Sequence, residues 1–292
     1  MISKIILGTV QFGLDYGINN SFGKPDKIEV NSILNYAFDQ GVRYLDTAEV
    51  YGNAHELIGD FHRETGKKFE IITKLKFSDN YKNKCLKERL NQVLLELDVE
   101  HIYCFMFHSF DDLEKYSDVV RNDLKELVSQ NKIKKIGVSI YTNDEFDKAM
   151  NFDFISVCQL PFNLFDNRCQ REVSLCLAKS KNIEIHTRSV FLQGLFFKSI
   201  YKFIGKLRSL KEDISRLNEI QIESGYSMNQ LALSYVVNQK EIDHVLIGVD
   251  NVLQLKQNIE SIISNISPKL LKQINSIDIK NIDLLDPRNW SE

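Results

Sequence analysis

The sequence predicts an α/β fold, a (β/α)8 TIM barrel, as a single domain over residues 1–292. Short apolar runs alternate with longer amphipathic stretches along the whole chain, the pattern of alternating strands and helices. Parallel strands joined through helices need right-handed crossovers, and eight such units close most naturally into a barrel. The alternative is an open doubly wound sheet, which would require a glycine-rich turn after its first strand. Residues 8–13 (GTVQFG) lack the Gly-x-Gly-x-x-Gly spacing of that turn, so the barrel is favoured.

The eight predicted strands are short runs of mostly apolar residues, many of them β-branched or aromatic. They are expected at residues 4–7, 42–46, 69–74, 102–107, 135–139, 155–160, 183–188 and 244–248. The first run begins so close to the N-terminus, and is so short, that it reads as a strand and not as a signal peptide.

Each strand is followed by a segment with helical periodicity. These helices are expected at residues 27–40, 53–65, 81–97, 118–131, 142–151, 168–180, 226–239 and 251–263. Gly41 suits the position just after the first of them, and residues 142–145 (TNDE) look like the capped start of the fifth. Only the connection at residues 195–225 is long, with an aromatic segment and then a charged helix. A long insertion on the catalytic side of a barrel usually shapes the substrate or cofactor site.

Charge and composition narrow the expected partners. The net charge is −3 and the acidic and basic residues are interleaved, so neither nucleic acid nor a membrane surface is an expected partner. No apolar run approaches about 18 residues, the length a spanning helix needs. The five cysteines show no Cys-x-x-Cys spacing and no secretion signal accompanies them, so we expect reduced thiols. The sequence therefore predicts a cytoplasmic protein that acts on a small molecule.

Four reactive side chains lie at or just after the ends of predicted strands. Asp46 and Lys74 close the second and third strands, His108 directly follows the fourth, and Tyr51 lies in the loop after the second. Because the carboxyl ends of parallel barrel strands meet at one mouth, these four residues are expected to form one site.

The four side chains suit reduction of a carbonyl by hydride. That reaction places negative charge on the carbonyl oxygen, so a proton donor is needed close by. A tyrosine phenol, with a reference pKa of about 10, is a reluctant acid at neutral pH and needs help from its neighbours. A lysine ammonium lowers the phenol's pKa, a buried aspartate holds that lysine in place, and a histidine orients the substrate oxygen.

At these residues the chain resembles the aldo-keto reductase family. The resembling segments follow the family's order along nearly the whole chain. They are residues 41–52 (GVRYLDTAEVYG), 56–59 (ELIG), 72–74 (ITK), 108–109 (HS), 137–139 (GVS), 159–163 (QLPFN), 188–194 (RSVFLQG) and 247–249 (IGV).

The resemblance implies a barrel that binds NADP(H) or NAD(H) without a Rossmann fold. It gives Tyr51 the role of general acid, tuned by Asp46 and Lys74, while His108 orients the carbonyl. It also implies a set of cofactor contacts from the nicotinamide through the pyrophosphate to the adenosine end. In that order these are Ser139, Gln159, Arg188, Ser189, Leu192, Gly194, Asp250, Gln254 and Asn258.

Three departures from the family bear on the cofactor. Ile140 stands where the family often has the Asn that follows its nicotinamide-binding Ser, and Arg188 stands where an aromatic ring is common. Asp250 and Gln254 occupy positions where basic or hydroxyl residues often hold the 2′-phosphate of NADP, with Lys256 as the nearest substitute. An aspartate near the ribose favours a free 2′-hydroxyl and repels a phosphate, so NAD(H) competes with NADP(H).

The segments around Glu49 and at 188–194 look like those of bacterial members associated with surface-polysaccharide sugar biosynthesis, which implies a keto-sugar or sugar aldehyde as substrate. Two alternatives stay open. One is a cofactor-binding regulatory or scaffolding subunit with little turnover, and the other is a metal-dependent barrel hydrolase. No metal is expected, because neither His186 nor His244 has a His-x-His partner or a carboxylate at metal-ligand spacing.

Overall fold

A computed structural model describes residues 1–17, 23–77 and 86–290. Eight parallel strands form a closed barrel in chain order, with β8 paired to β1. The strands are β1 (Ile5–Gly8), β2 (Tyr44–Asp46), β3 (Glu70–Leu75), β4 (Ile102–Phe107), β5 (Ile133–Ser139), β6 (Val157–Pro161), β7 (Glu184–Arg188) and β8 (His244–Gly248). The predicted fold class is confirmed, and every predicted strand lies within two residues of its observed bounds.

The register shows how the barrel closes. Leu7 of β1 pairs with Leu45 of β2 on one side and with Ile247 of β8 on the other. The strand ends therefore lie side by side around one rim, which carries the loops to the helices.

The helices in the described part of the chain cover the outside of the barrel. They are α1 (Val10–Gly13), α2 (Lys27–Asp39), α3 (Ala54–Thr65), α4 (Leu86–Leu97), α5 (Phe110–Ser129), α6 (Asn143–Ala149), α7 (Arg168–Ser180), α8 (Lys211–Ser224), α9 (Met228–Val237), α10 (Val252–Glu260) and α11 (Pro268–Asn275). Here α8 is the charged helix expected in the long connection. Residues 81–85 of the expected third helix lie outside the described residues.

Local capping explains where several helices begin and end. Gly41 has φ +92°, as a residue just past a helix requires, and Thr142 and Glu145 form a reciprocal capping box at the start of α6. Both predictions are confirmed. The helix after β4 begins at Phe110 and not at residue 118, because Ser109 Oγ accepts the Asp112 N–H at 3.1 Å and caps it.

The barrel interior is apolar in its middle and polar at its ends. The middle layer is built from Ile6, Ile72, Cys104, Met106 and Val157. Because side chains two residues apart on a strand share a face, the inward residues that follow Ile72 and Val157 are Lys74 and Gln159. The strand pattern thus places polar groups at the carboxyl rim. Within residues 1–17, 23–77 and 86–290, no helix has the length and apolar character needed to cross a bilayer.

Candidate active site

A cavity of about 670 Å³ opens at the carboxyl ends of the strands. Its lining includes every predicted site residue except Leu192, whose side chain is buried in the outer core. The predicted residues that line it are Asp46, Tyr51, Lys74, His108, Ser139, Gln159, Arg188, Ser189, Gly194, Asp250, Gln254 and Asn258. The structure therefore brings the four reactive side chains and the expected cofactor contacts into one cavity.

A buried ion pair lies at the centre of this cavity. Lys74 Nζ lies 2.5 Å from Asp46 Oδ1, and each residue is only 3% exposed. Gln159 Nε2 donates to the other carboxylate oxygen at 2.8 Å, so both oxygens of Asp46 are satisfied. Burial works against the charge on Lys74, but the attraction of Asp46 outweighs it and raises the pKa of Lys74 above its ordinary value. The ammonium is therefore fixed both in charge and in position.

Two glycines allow Tyr51 to reach the ion pair. Tyr51 lies in a turn in which its N–H donates to the Ala48 carbonyl and its own carbonyl accepts from Ala54, both at 3.0 Å. A Cβ on Gly13 would lie 1.7 Å from the Tyr51 carbonyl oxygen, and Gly52 has φ +54°. The turn thus packs backbone to backbone against α1, an approach that a side chain on Gly13 would prevent.

The phenol of Tyr51 lies close to the Lys74 charge. Lys74 Nζ is 5.7 Å from the centre of the Tyr51 ring. Burial raises the pKa of Tyr51, Lys74 lowers it, and the net pKa is above the ordinary value. Lys74 thus acts in the direction expected from the sequence, but burial is the larger effect. Tyr51 consequently keeps its proton at neutral pH.

His108 contributes a neutral ring. Burial and the nearby Lys74 charge lower the pKa of His108 to about 4, so the imidazole is uncharged at neutral pH. Its Nδ1 is buried and has no hydrogen-bond partner among the described residues. Because Nδ1 is closed off from solvent, it is not the atom of His108 that a ligand in the cavity would contact.

Arg188 packs against Tyr141, a residue that was not among the predicted site residues. The Arg188 guanidinium lies 4.1 Å from the centre of the Tyr141 ring and donates to the Ile140 carbonyl at 3.1 Å. Arg288 from the C-terminal segment lies 3.6 Å from the same ring centre. Tyr141 lies just beyond the end of β5, so the strand-end rule that found the other site residues also applies to it.

A buried network behind the cavity fixes these loops. Arg171 makes two hydrogen bonds to the Asp166 carboxylate, at 2.7 and 2.6 Å, and also donates to the Tyr141 carbonyl at 2.6 Å. Asn163 Nδ2 donates to the Ser189 carbonyl at 3.1 Å. The loops after β5, β6 and β7 are thus tied together by paired charges and backbone hydrogen bonds.

The turn after β7 has an uncommon backbone. Ser189, Leu192 and Gln193 have positive φ angles of 60°, 45° and 51°, beside Gly194 at 85°. Such conformations are costly for residues other than glycine, and they cluster at ligand sites. Gln193 Nε2 also donates to Tyr16 Oη at 3.3 Å, which joins this turn to the loop after β1. Tyr16 and Gln193 both line the cavity. Gln193 lies within the segment 188–194 that the sequence singled out, whereas Tyr16 was not predicted.

The end of the cavity beside β8 and α10 is polar without being basic. The Asp250 N–H donates to Gln254 Oε1 at 2.8 Å, and Gln254 Nε2 donates to Asp250 Oδ2 at 3.2 Å. Asn258 Oδ1 accepts from Asn229 at 3.1 Å. Lys256 is exposed and does not line the cavity. Among the described lining residues, this end therefore presents a carboxylate and amides.

Comparison with known proteins agrees with this geometry. The model of the "Aldo/keto reductase family" matches residues 4–279. A Glycine max protein named "Probable aldo-keto reductase 1" is 28% identical, over 94% of this chain and 84% of its own. The L-glyceraldehyde 3-phosphate reductase of Escherichia coli (strain K12) is 24% identical, over 89% and 87%.

A solved structure shares the fold. The holo form of an aldo-keto reductase from Bacillus halodurans superposes with a TM-score of 0.74 at 16% identity, covering 94% of this chain and 92% of that one. The barrel, the cavity at its carboxyl rim and the match over nearly the full length agree with one another. The protein is an NAD(P)H-dependent oxidoreductase that interconverts carbonyls and alcohols, and it belongs to the aldo/keto reductase family.

Proposed function

We propose that this protein reduces the carbonyl of a keto-sugar or sugar aldehyde, with Tyr51 as the general acid. The observation that carries the proposal is the cavity's buried ion pair, in which Asp46 holds the Lys74 ammonium beside the Tyr51 ring. A proton donor next to a fixed positive charge suits a reaction that develops negative charge on oxygen.

The chain's own residues divide the work as follows. A reduced nicotinamide cofactor, when bound, would supply the hydride for the carbonyl carbon. Tyr51 gives its phenolic proton to the carbonyl oxygen, and the Lys74 ammonium stabilises the phenolate that remains. Neutral His108 donates a hydrogen bond to the same oxygen and so orients the carbonyl. The reverse reaction uses the Tyr51 phenolate as the base.

The cavity residues fit a dinucleotide cofactor. The lining runs from the reactive centre past the strained turn at residues 189–194 to α10. Gln159 donates its amide N–H to Asp46, so its carbonyl oxygen is the atom that would accept from the nicotinamide carboxamide, beside Ser139. Backbone of the turn would lie under the pyrophosphate, and Asp250, Gln254 and Asn258 would face the adenosine.

Two features support a sugar as substrate. The cavity wall near the reactive centre is rich in hydrogen-bonding groups, among them Tyr16, Tyr141, Arg188 and Gln193. Such groups pair with hydroxyls, and a site built for them rejects molecules that lack those hydroxyls. A relative that covers most of this chain is named for reducing a three-carbon sugar phosphate.

The test is to remove the proposed proton donor without changing cofactor binding. Three phenols line the cavity among the described residues, Tyr16, Tyr51 and Tyr141, so each is replaced by Phe in turn. Tyr51→Phe should lower turnover on the best sugar substrate by at least about a hundredfold, the low end for a positioned acid. Cofactor affinity, measured by fluorescence titration, should change little, because the phenol acts on the reacting oxygen. Tyr16→Phe and Tyr141→Phe, the matched controls, should keep most of the turnover at saturating sugar, although the loss of a hydroxyl that pairs with the sugar should raise KM.

Near-normal turnover in Tyr51→Phe would show that another group is the acid. A wild-type protein that binds NAD(P)H but oxidises it with no member of a panel of aldehydes and keto-sugars would instead support the regulatory or scaffolding alternative.

A further inference from the structure

A second cluster of ionisable side chains lies at the amino ends of β7 and β8, outside the lining of the active-site cavity. Glu184 and His186 are two residues apart on β7 and so share one face of the strand. His244 on β8 is the register partner of His186. Strand pairing therefore brings one carboxylate and two imidazoles together. The sequence predicted no metal site here, because the third group comes from a neighbouring strand and meets the other two only in the folded barrel.

The three side chains are close enough to share one ion. His186 Nε2 lies 2.7 Å from Glu184 Oε1, and His244 Nε2 lies 3.8 Å from the same oxygen. One ligand atom from each residue lies within 4.8 Å of the others. Tetrahedral zinc, with ligands at about 2.0–2.1 Å, needs ligand atoms roughly 3.3 Å apart, which lies inside this range.

We propose that Glu184, His186 and His244 form a binding site for Zn²⁺ at the floor of the barrel. Two imidazoles and one carboxylate are an established ligand set for this ion, with the fourth position left to water or to a neighbouring group. Tyr103 is that neighbour, because its Oη lies 3.0 Å from Glu184 Oε1.

The state of the cluster agrees with this assignment. Nδ1 of both His186 and His244 is buried without a hydrogen-bond partner among the described residues. His186 Nε2 donates to the Glu184 carboxylate at 2.7 Å, so a metal bound at this nitrogen would displace the proton that it carries. An ionised carboxylate and a neutral imidazole are the forms that bind a metal.

Lys135 competes with the ion for the Glu184 carboxylate. Its ammonium pairs with the Glu184 carboxylate and donates to Tyr103 Oη at 2.9 Å. Its side chain is 34% exposed, so it can swing into solvent when a divalent cation takes over the neutralisation of Glu184. The same exposed position gives the ion a path to a cluster in which His186 itself is fully buried.

Metal binding here would join two strands whose pairing is short. The β7–β8 ladder contains two register pairs, His186 with His244 and Thr187 with Val245. An ion held by both strands stabilises the folded barrel by mass action, since it binds the folded chain and not the separated strands.

The experiment uses the tag-free full-length protein, stripped with a chelator and with its thiols blocked. Titration with ZnCl₂ by calorimetry should show one site per chain, and Zn²⁺ should raise the melting temperature. CoCl₂ should give the visible bands of a tetrahedral nitrogen and oxygen site, without thiolate charge transfer. Loss of a hydrogen-bond partner outside the ligand set already costs about ten- to a hundredfold in metal affinity. Loss of a ligand should cost more, so His244→Asn should weaken Zn²⁺ binding by about a hundredfold or more. Lys135→Met should strengthen binding by removing the competitor.

His101→Asn is the matched control, because His101 Nε2 lies 3.1 Å from Glu70 in a partly exposed pair of the same chemistry. It should leave Zn²⁺ affinity unchanged. The proposal is overturned if wild-type protein binds no Zn²⁺, if His244→Asn binds as tightly as wild type, or if Lys135→Met binds more weakly. The cobalt spectrum of wild-type protein tests the ligand set without any variant, because absence of the tetrahedral bands would exclude that set. Turnover is not the readout, since the cluster lies outside the active-site cavity.

Discussion

At the scale of single residues, burial and neighbouring charge set the protonation state of each reactive group. Lys74 stays charged because Asp46 is 2.5 Å away, whereas His108, which has Lys74 as a neighbour, is held neutral with a pKa of about 4. Burial is the larger cause of the low pKa of His108, and the Lys74 ammonium adds to it. The same ammonium lowers the pKa of Tyr51, against the larger effect of burial.

Lys74→Met should raise the apparent pKa of the Tyr51 step and slow the reaction, because the ammonium favours the phenolate. Asp46→Asn should do the same more weakly, through a less firmly held lysine. The measurement is the pH profile of kcat/KM for alcohol oxidation, which reports the pKa of the essential base in the free enzyme. Lys76→Met, two residues along the chain at an exposed position, is the control. A profile that is unchanged in both active-site variants would refute the coupling between Lys74 and Tyr51.

At the scale of elements, the loop after β8 and the start of α10 hold the side chains that we propose face the adenosine end of the cofactor. Asn251 caps α10 by accepting the Gln254 N–H at 2.9 Å, and this cap presents Asp250 and Gln254 to the cavity. Lys256, two residues beyond Gln254, falls on the exposed face of the same helix. Helix geometry therefore selects a carboxylate and an amide for the cavity and leaves the cation outside it.

Cofactor discrimination should consequently be weak. Asp250 repels a 2′-phosphate, while the family leans towards NADP, so we expect NADH and NADPH to bind within about tenfold of each other, or about 1.4 kcal/mol. The measurement is quenching of protein fluorescence by each reduced cofactor. Asp250→Asn keeps the side chain's size but removes its charge, and it should shift the ratio towards NADPH. A preference of wild-type protein for NADPH above about a hundredfold would reveal a basic clamp that the described cavity residues do not provide.

At the scale of the whole molecule, both ends of the barrel bury histidines in neutral form. His108 lies near the carboxyl rim and His244 near the amino rim, each with its pKa lowered to about 4. An unfolded histidine titrates at about 6.5. Between those two values the unfolded chain binds more protons than the folded one, so stability rises with pH across this window and falls as the solution is acidified.

The urea midpoint of chelator-treated protein should therefore hold steady above about pH 7 and fall between about pH 6.5 and 4. Glu184, whose pKa in the folded state is lowered to about 2, adds to the loss of stability only as the pH falls below the ordinary pKa of a carboxylate. His108→Asn, which cannot be protonated in this range, should show a shallower decline than wild type. A midpoint that stays constant from pH 7 to 4.5 would contradict the neutral burial of these histidines.

The sequence by itself determined the barrel, its strands and the four reactive residues. Each of these follows from information along one strand: a run of apolar residues marks the strand, and its end marks the rim. The start of α5 is also encoded locally, in the Ser109 cap, although the prediction placed it at residue 118. The prediction that Asp46, Tyr51, Lys74 and His108 lie together needed only one rule, that the carboxyl ends of parallel strands lie on the same side of the barrel.

Only the tertiary structure decided which side chains from different strands meet. The contact of Gln193 with Tyr16, the packing of Arg188 on Tyr141, and the approach of His244 to Glu184 join residues far apart in the chain. Leu192, expected beside the cofactor, has a positive φ of 45°, and its side chain packs in the core. Residue pattern fixes the face on which a side chain lies, but register and barrel closure fix its partner, and both depend on the packing of the entire chain.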